Sequence, residues 1–163
     1  MTMKRFNLSL ISGIFSLLLS LGCEHSTEPK WNLDFQKMEI HYSKVGGWIH
    51  PTKLDIYSNG LVNAYLFNQS SLTTTDSAST ILNRNEQEEI VDLFKSFWSY
   101  NHYYEPKPED WATDQNSHTI ILIYEEIPDT VSVYMPDKAN IPSSLTKIIV
   151  EMEALWSSVL NEN

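Results

Sequence analysis

The sequence is poor in cysteine, glycine and basic residues, and each shortage excludes a class of protein. Of its 163 residues, one is cysteine, five are glycine, and 11 lysines and arginines face 21 aspartates and glutamates. A single cysteine excludes a disulfide framework and a cysteine-rich zinc fold. A net charge of −10 argues against nucleic acid as a partner, because phosphate contacts need clustered basic side chains. A content of 42% hydrophobic and 12% aromatic residues nevertheless predicts a globular domain with its own core.

The common catalytic and phosphate-binding motifs are also missing. The chain contains no G-x-S-x-G, no G-x-x-x-x-G-K-[ST] and no G-x-G-x-x-G, and its histidines have no H-x-x-x-H or H-E-x-x-H spacing. Asp114, Asn116 and His118 alternate, and on a strand they would share a face that could hold a hard cation. We expect no catalytic residues, no metal and no cofactor. A small hydrolase with a carboxylate or metal site is the alternative.

The N-terminal residues have the composition of an export signal. A basic start, residues 1–5, precedes an apolar run from Phe6 to Leu21, and small Gly22 and Cys23 follow it. A basic region, an apolar region and a small-residue cleavage site are the three parts of a secretory signal peptide. The apolar run is short for a membrane-spanning helix, which needs about 20 apolar residues.

The junction Leu19–Ser20–Leu21–Gly22–Cys23 resembles the lipobox of bacterial lipoproteins, although Ser20 stands where a leucine is usual. The resemblance implies cleavage before Cys23, a diacylglycerol on its sulfur and a further acyl chain, such as palmitate, on its new amine. Two or more chains, at about 0.8 kcal/mol per buried CH₂, anchor a protein stably to a membrane. An ordinary signal peptide with an incidental cysteine and an uncleaved anchor helix are the alternatives.

Three segments follow from this interpretation. Residues 1–22 form the signal peptide, residues 23–33 form the lipidated cysteine and a polar tether, and residues 34–163 form a single domain. Removal of the signal peptide takes away basic residues and no acid, so the mature chain stays acidic. Anionic headgroups would repel such a domain, and the lipid must hold it at the membrane.

Alternating apolar residues predict four strands and a fifth. The predicted strands are 35–45, 53–58, 61–67, 118–125 and 130–135, with 70–80 and 99–116 as loops and a turn at Pro128–Asp129. Asn59–Gly60 is a strong hairpin signal, because both residues tolerate a positive φ. Two helices are expected, one capped by Asn85 and one opened by Pro142, each with an apolar stripe. The sequence therefore predicts an α+β fold in the order β-β-β-α-β-β-α, in which two amphipathic helices cover one face of an antiparallel sheet of about five strands.

Aromatic residues and a paired glycine supply the candidate interaction surface. Trp and Tyr combine apolar area with a polar tip, which suits contact with a protein or a sugar. Packing under a long loop is the structural alternative for the same residues. The candidate surface consists of Gly46, Gly47, Trp48, Tyr100, Tyr103, Tyr104, Trp111 and Asp114.

The mature domain carries a second resemblance. The segment IHYSKVGGWIHPTKLDIYSNGLV, an acidic helix start, Thr113–Asp114 and a final Pro-led helix resemble small uncharacterised bacterial envelope domains over residues 38–160. The opening is more distantly similar to emfourin-type proteins, which are bacterial inhibitors of thermolysin-like metalloproteases. That similarity implies a protein-binding edge at Gly46, Gly47 and Trp48.

Together these observations predict a lipid-anchored protein of the bacterial cell envelope, on the outer membrane or the periplasmic side of a Gram-negative cell. Its folded part is expected to be a non-catalytic binding domain with an envelope protein or peptidoglycan as partner. An inhibitor of a thermolysin-like metalloprotease is the alternative that the second resemblance implies.

Overall fold

The computed structural model describes residues 32–47, 49–112 and 115–161. The seven strands in chain order are β1 (Met38–Val45), β2 (Thr52–Ile56), β3 (Leu61–Phe67), β4 (Thr74–Ile81), β5 (Tyr103–Tyr104), β6 (Ser117–Tyr124) and β7 (Ile127–Tyr134). The two α-helices are α1 (Arg84–Phe94), between β4 and β5, and α2 (Ser143–Asn161), after β7. Short 3₁₀ turns lie at Phe35–Lys37, Phe97–Ser99 and Pro108–Asp110.

The strands form one sheet in the order β4-β3-β2-β1-β6-β7-β5. Every neighbouring pair is antiparallel except β5 and β7, which are parallel. The two helices pack against this sheet, and the buried apolar residues of sheet and helices belong to one core. The α+β class is therefore confirmed, and among the described residues no helix has the length and apolarity that crossing a bilayer requires.

The prediction of about five strands is wrong by two, and both missed strands lie in predicted loops. β4 occupies the Ser/Thr-rich stretch and pairs with β3 at one edge of the sheet. Most of its side chains are exposed, so it carries no apolar alternation for a sequence pattern to detect. β5 is a two-residue strand inside the predicted aromatic loop, and it pairs with β7 at the opposite edge.

The two predicted turns have different outcomes. The hairpin at Asn59–Gly60 is confirmed, with Tyr57 N donating to Leu61 O at 2.9 Å, but only Gly60 has a positive φ, of 84°. The turn at Pro128–Asp129 is wrong, because both residues lie inside β7. The chain reverses instead at Glu125 and Glu126, whose φ values are 51° and 69°. Because neither residue is a glycine or an asparagine, the sequence carries no signal for this turn.

The cap of α1 lies two residues earlier than predicted. Asn83, not Asn85, accepts from Asn85 N at 2.9 Å and Glu86 N at 3.2 Å, and its own N donates to Glu86 Oε2 at 2.6 Å. This reciprocal pair is a capping box. The helix then ends at Phe94, and Phe97 continues the buried apolar stripe from a 3₁₀ turn.

Replacement of the true cap should weaken the fold measurably. We expect Asn83→Ala to lower the free energy of unfolding by about 1 kcal/mol, because two backbone N–H groups lose their acceptor. Urea denaturation checks this value. Asn85→Ala is the matched control, expected to stay within about 0.5 kcal/mol of wild type since Asn85 is exposed. A larger loss for Asn85→Ala than for Asn83→Ala would contradict the assignment.

Candidate functional site

Three of the predicted site residues lie outside the described part of the chain. These are the lipidation candidate Cys23 and the surface candidates Trp48 and Asp114. The others fall at the end of the sheet where β1 and β7 finish and β6 begins, or in the segment between α1 and β6. The structure divides them into residues that build this end of the domain and residues that face solvent.

Gly46 and Gly47 belong to the first group. Gly46 has a φ of 107°, and a Cβ there would lie 2.5 Å from the backbone oxygen of Gln115. Gln69 Nε2 donates to the carbonyl of Gly47 at 2.7 Å. The paired glycines therefore let the β1–β2 loop pack directly against the chain entering β6.

Two tyrosines of the aromatic segment are also packing residues. Tyr100 is 9% exposed, its ring lies edge-on to Phe97 with centroids 6.1 Å apart, and its hydroxyl is 3.0 Å from Ser96 Oγ. Tyr104 is half-buried, and its hydroxyl accepts from Asn101 N at 3.0 Å. For these two residues the structure favours the packing interpretation.

The other two aromatic candidates face solvent and meet a residue that the sequence did not single out. Tyr103 is 54% exposed and Trp111 is 55% exposed. The Trp111 ring lies 5.5 Å from that of Tyr134, whose hydroxyl donates to the carbonyl of Ala112. Partial desolvation raises the pKa of Tyr103, with smaller contributions from Glu105 and Tyr134. We call Tyr103, Trp111 and Tyr134 the aromatic corner.

The aromatic corner adjoins a line of hydroxyl groups on the sheet face opposite to the core, which we call the open face. The strand register makes Ser43, Thr119, Ser132 and Tyr103 neighbours across β1, β6, β7 and β5. Paired residues point to the same side of a sheet, so these four hydroxyls follow one another across it. Ser43, Thr119 and Ser132 are all half-buried, and we call the three the hydroxyl row.

The same register line continues from Ser43 to Lys53 and Tyr65 on β2 and β3. Lys53 Nζ lies 5.8 Å from the centroid of the Tyr65 ring and donates to Asp55 Oδ2 at 2.7 Å. The hydrogen bond to Asp55 is the main cause that raises the pKa of Lys53. Asp55, 2% exposed, also contacts His41 Nδ1 at 2.6 Å, so its charge is compensated within the face.

The pairing of His41 with Asp55 is also the arrangement by which hydrolases orient a general base. A nucleophile would have to lie beside the second ring nitrogen. In the described part of the chain, however, no serine or threonine hydroxyl is hydrogen-bonded to His41, and the nearby ring of Tyr57 is 6.4 Å away. Within the face, the contact of Asp55 with His41 and with Lys53 satisfies the hydrogen-bonding capacity of the buried carboxylate.

His118 lies on the core side of the sheet, away from the open face. It is 3% exposed, and its Nδ1 is 2.8 Å from the hydroxyl of Tyr42, which is 1% exposed. Burial lowers the pKa of the His118 imidazole to about 4. Burial also raises the pKa of the Tyr42 hydroxyl, and the nearby carboxylate of Glu153 raises it further. Glu153 in turn accepts from Lys44 at the edge of this cluster.

The buried position of His118 is relevant to the alternative prediction that Asp114, Asn116 and His118 bind a metal ion. Asn116 lies before β6, Asp114 is outside the described residues, and the imidazole of His118 points into the core. Within residues 32–47, 49–112 and 115–161, no three His, Cys, Asp or Glu side chains form a group that could hold a metal.

Sequence patterns supplied part of this site and missed the rest. Tyr103 and Trp111 were found by composition, whereas Ser43, Thr119, Ser132 and Tyr134 were not. Alternation with buried residues was the available signal for the missed positions, because it places them on the face away from the core.

A scan against protein-family models finds no family that matches this chain, and a search of curated proteins finds no similar sequence.

Proposed function

We propose that the chain is a lipid-anchored protein of the bacterial cell envelope, and that its domain is a non-catalytic module that binds the glycan strands of peptidoglycan. The observation that carries the proposal is the hydroxyl row, which crosses the open face and ends at the aromatic corner. The lipobox-like junction at Cys23 supports the location.

The chemistry of the row favours a polyhydroxyl partner. Serine and threonine hydroxyls both donate and accept hydrogen bonds, as sugar hydroxyls do, and tyrosine and tryptophan rings offer flat apolar area with a polar tip. The contact between Thr119 Oγ1 and Ser132 Oγ is long, at 3.4 Å, so both groups have capacity for a ligand. Strands are about 4.8 Å apart, so the line from Ser43 to Tyr103 spans about 14 Å. That length suits an oligosaccharide better than a single sugar.

The charge on this part of the face favours the same partner. The chain has a net charge of −10, yet the hydroxyl row between β1 and β7 consists of uncharged side chains, and the carboxylate of Glu105 acts only on Tyr103 at its end. Asp55, buried on the same face, is compensated by Lys53 and also contacts His41. An uncharged row of this kind suits an uncharged polymer rather than a cationic one.

Removal of the two exposed rings of the aromatic corner should weaken binding to the cell wall. We expect the Tyr103→Ala, Trp111→Ala double variant to bind purified peptidoglycan sacculi at least about tenfold more weakly, since exposed aromatic anchors dominate such contacts. Cosedimentation measures this with the chain from residue 23 onward, carrying Cys23→Ser to keep it soluble. Ile127→Ala, at a position 67% exposed in the β6–β7 turn region, is the matched control and should bind like wild type. Equal retention of all three proteins would refute the proposal.

The anchor is tested separately. We expect full-length protein to incorporate radiolabelled palmitate and to fractionate with membranes, and the Cys23→Ser variant to lose both properties, because the sulfur carries the lipid. A Cys23→Ala variant controls for the new hydroxyl and should behave in the same way. Persistent labelling and membrane association of both variants would contradict lipidation at this residue.

A further inference from the structure

A groove of about 700 Å³ separates α1 from α2, on a part of the domain that the proposed glycan site does not use. Its apolar lining comes from Leu82, Ile90 and Leu93 on one side and from Ala154 and Leu155 on the other. Leu93 and Leu155 are only partly buried, and Ala154 is exposed. The two helices therefore leave apolar area between them that the core does not cover.

Carboxylates dominate the rim of this groove. Its ionisable lining residues are Glu86, Glu89, Asp92 and Glu151, with Lys147 as the single cation. Two of the acids already have partners, since Glu86 accepts from Asn83 N and Asp92 pairs with Lys95 at 2.5 Å. Glu89 and Glu151, which are exposed, form no ion pair within the described residues. One uncompensated carboxylate thus lies on each helix.

The dimensions of the groove set the length of what it could hold. Its lining on α2 runs from Lys147 to Ser158, three turns of helix or about 16 Å at 1.5 Å per residue. A groove between two helices with an apolar floor is the usual receiving site for an amphipathic helix. The matching occupant is about three helical turns long.

We propose that this groove binds a basic amphipathic helix of a partner protein. The apolar stripe of that helix would cover Leu93 and Leu155, and its lysines or arginines would pair with Glu89 and Glu151. Charge selects this occupant, because the uncompensated carboxylates of Glu89 and Glu151 repel an anionic lipid surface and a second copy of this acidic chain.

A designed peptide serves as the probe. A fluorescein-labelled Leu/Lys peptide of about three helical turns is titrated against the chain from residue 23 onward, carrying Cys23→Ser, and anisotropy is recorded. The same peptide with glutamate in place of lysine is the charge-reversed probe. We expect the lysine peptide to bind, more weakly at about 300 mM than at about 50 mM salt, and the glutamate peptide not to bind.

Paired charge reversals separate the groove from the general negative charge of the domain. Glu89→Lys with Glu151→Lys should weaken binding at least about tenfold, because both groove charges become repulsive. Glu109→Lys with Asp137→Lys makes the same change in net charge at exposed positions outside the groove lining and should stay within about twofold. Titration of the unmutated chain should also shift the methyl resonances of Leu93 and Leu155. Equal weakening by both reversals, unchanged methyl resonances or no binding of the lysine peptide would each overturn the proposal.

Discussion

Acidification should cost the domain about 3 kcal/mol of unfolding free energy through His118 alone. Its pKa is lowered from 6.5 to about 4 in the folded protein, mainly by burial. Between those two values the unfolded chain binds the proton and the folded chain does not, so stability rises with pH across this window. The contribution is complete above about pH 6.5 and is lost as the pH falls to about 4. The size follows from about 1.4 kcal/mol per pKa unit.

Two variants test this dependence by urea denaturation across the window. His118→Gln keeps a neutral polar group beside Tyr42 but cannot titrate, so its stability should fall less steeply with acid than that of wild type. The neighbouring charges of Lys44 and Glu153 stay in place in this variant. His102→Gln replaces a histidine whose side chain is 80% exposed and should keep the full acid sensitivity, because His118 is intact. The same steep slope in His118→Gln as in wild type would rule out His118 as the cause.

The second large effect is expected at Gly46. Its φ of 107° is unfavourable for any side chain, and the new Cβ of Gly46→Ala would meet the Gln115 carbonyl at 2.5 Å. Since a backbone oxygen must move, we expect a loss of about 3 kcal/mol in unfolding free energy. Chemical denaturation measures it, with the midpoint and the slope compared against wild type.

Gly60→Ala is the matched control for this substitution. Gly60 also has a positive φ, of 84°, but the nearest atom to its added Cβ is Nε2 of the flexible Gln87 side chain, at 2.8 Å. That side chain can swing away, but it then loses its hydrogen bond to the Leu82 carbonyl, and this carbonyl oxygen itself lies 3.3 Å from the added Cβ. With the backbone strain, we expect a loss of about 2 kcal/mol, still smaller than at Gly46. A larger loss for Gly60→Ala than for Gly46→Ala would show that the β1–β2 loop does not need the close approach.

The features that the sequence predicted are those with a local signal. Asn59–Gly60 specifies its hairpin within a few residues, and Met38, Ile40 and Tyr42 alternate along one strand, so both were predicted correctly. The cap of α1 was predicted two residues too late because Asn83 and Asn85 are both chemically able to cap a helix. Only the geometry of the Asn83–Glu86 pair separates them.

The candidate surface was harder to predict because it depends on pairing between distant strands. Ser43 and Thr119 become neighbours only when β1 pairs with β6, and no pattern within either strand encodes that register. Composition likewise cannot separate buried Tyr100 from exposed Tyr103 three residues later. The difference arises because Tyr100 packs against Phe97, whereas Tyr103 lies on the edge strand.

The position of β1 in the middle of the sheet has a consequence for the order of folding. A nascent chain that has reached Ile81 can already form the four-stranded meander β1–β4. Its β1 strand stays an unprotected edge until residues 117–124 emerge and pair with it. Exposed edges of this kind recruit other chains, so the interval during synthesis before β6 arrives is the period of greatest risk of aggregation.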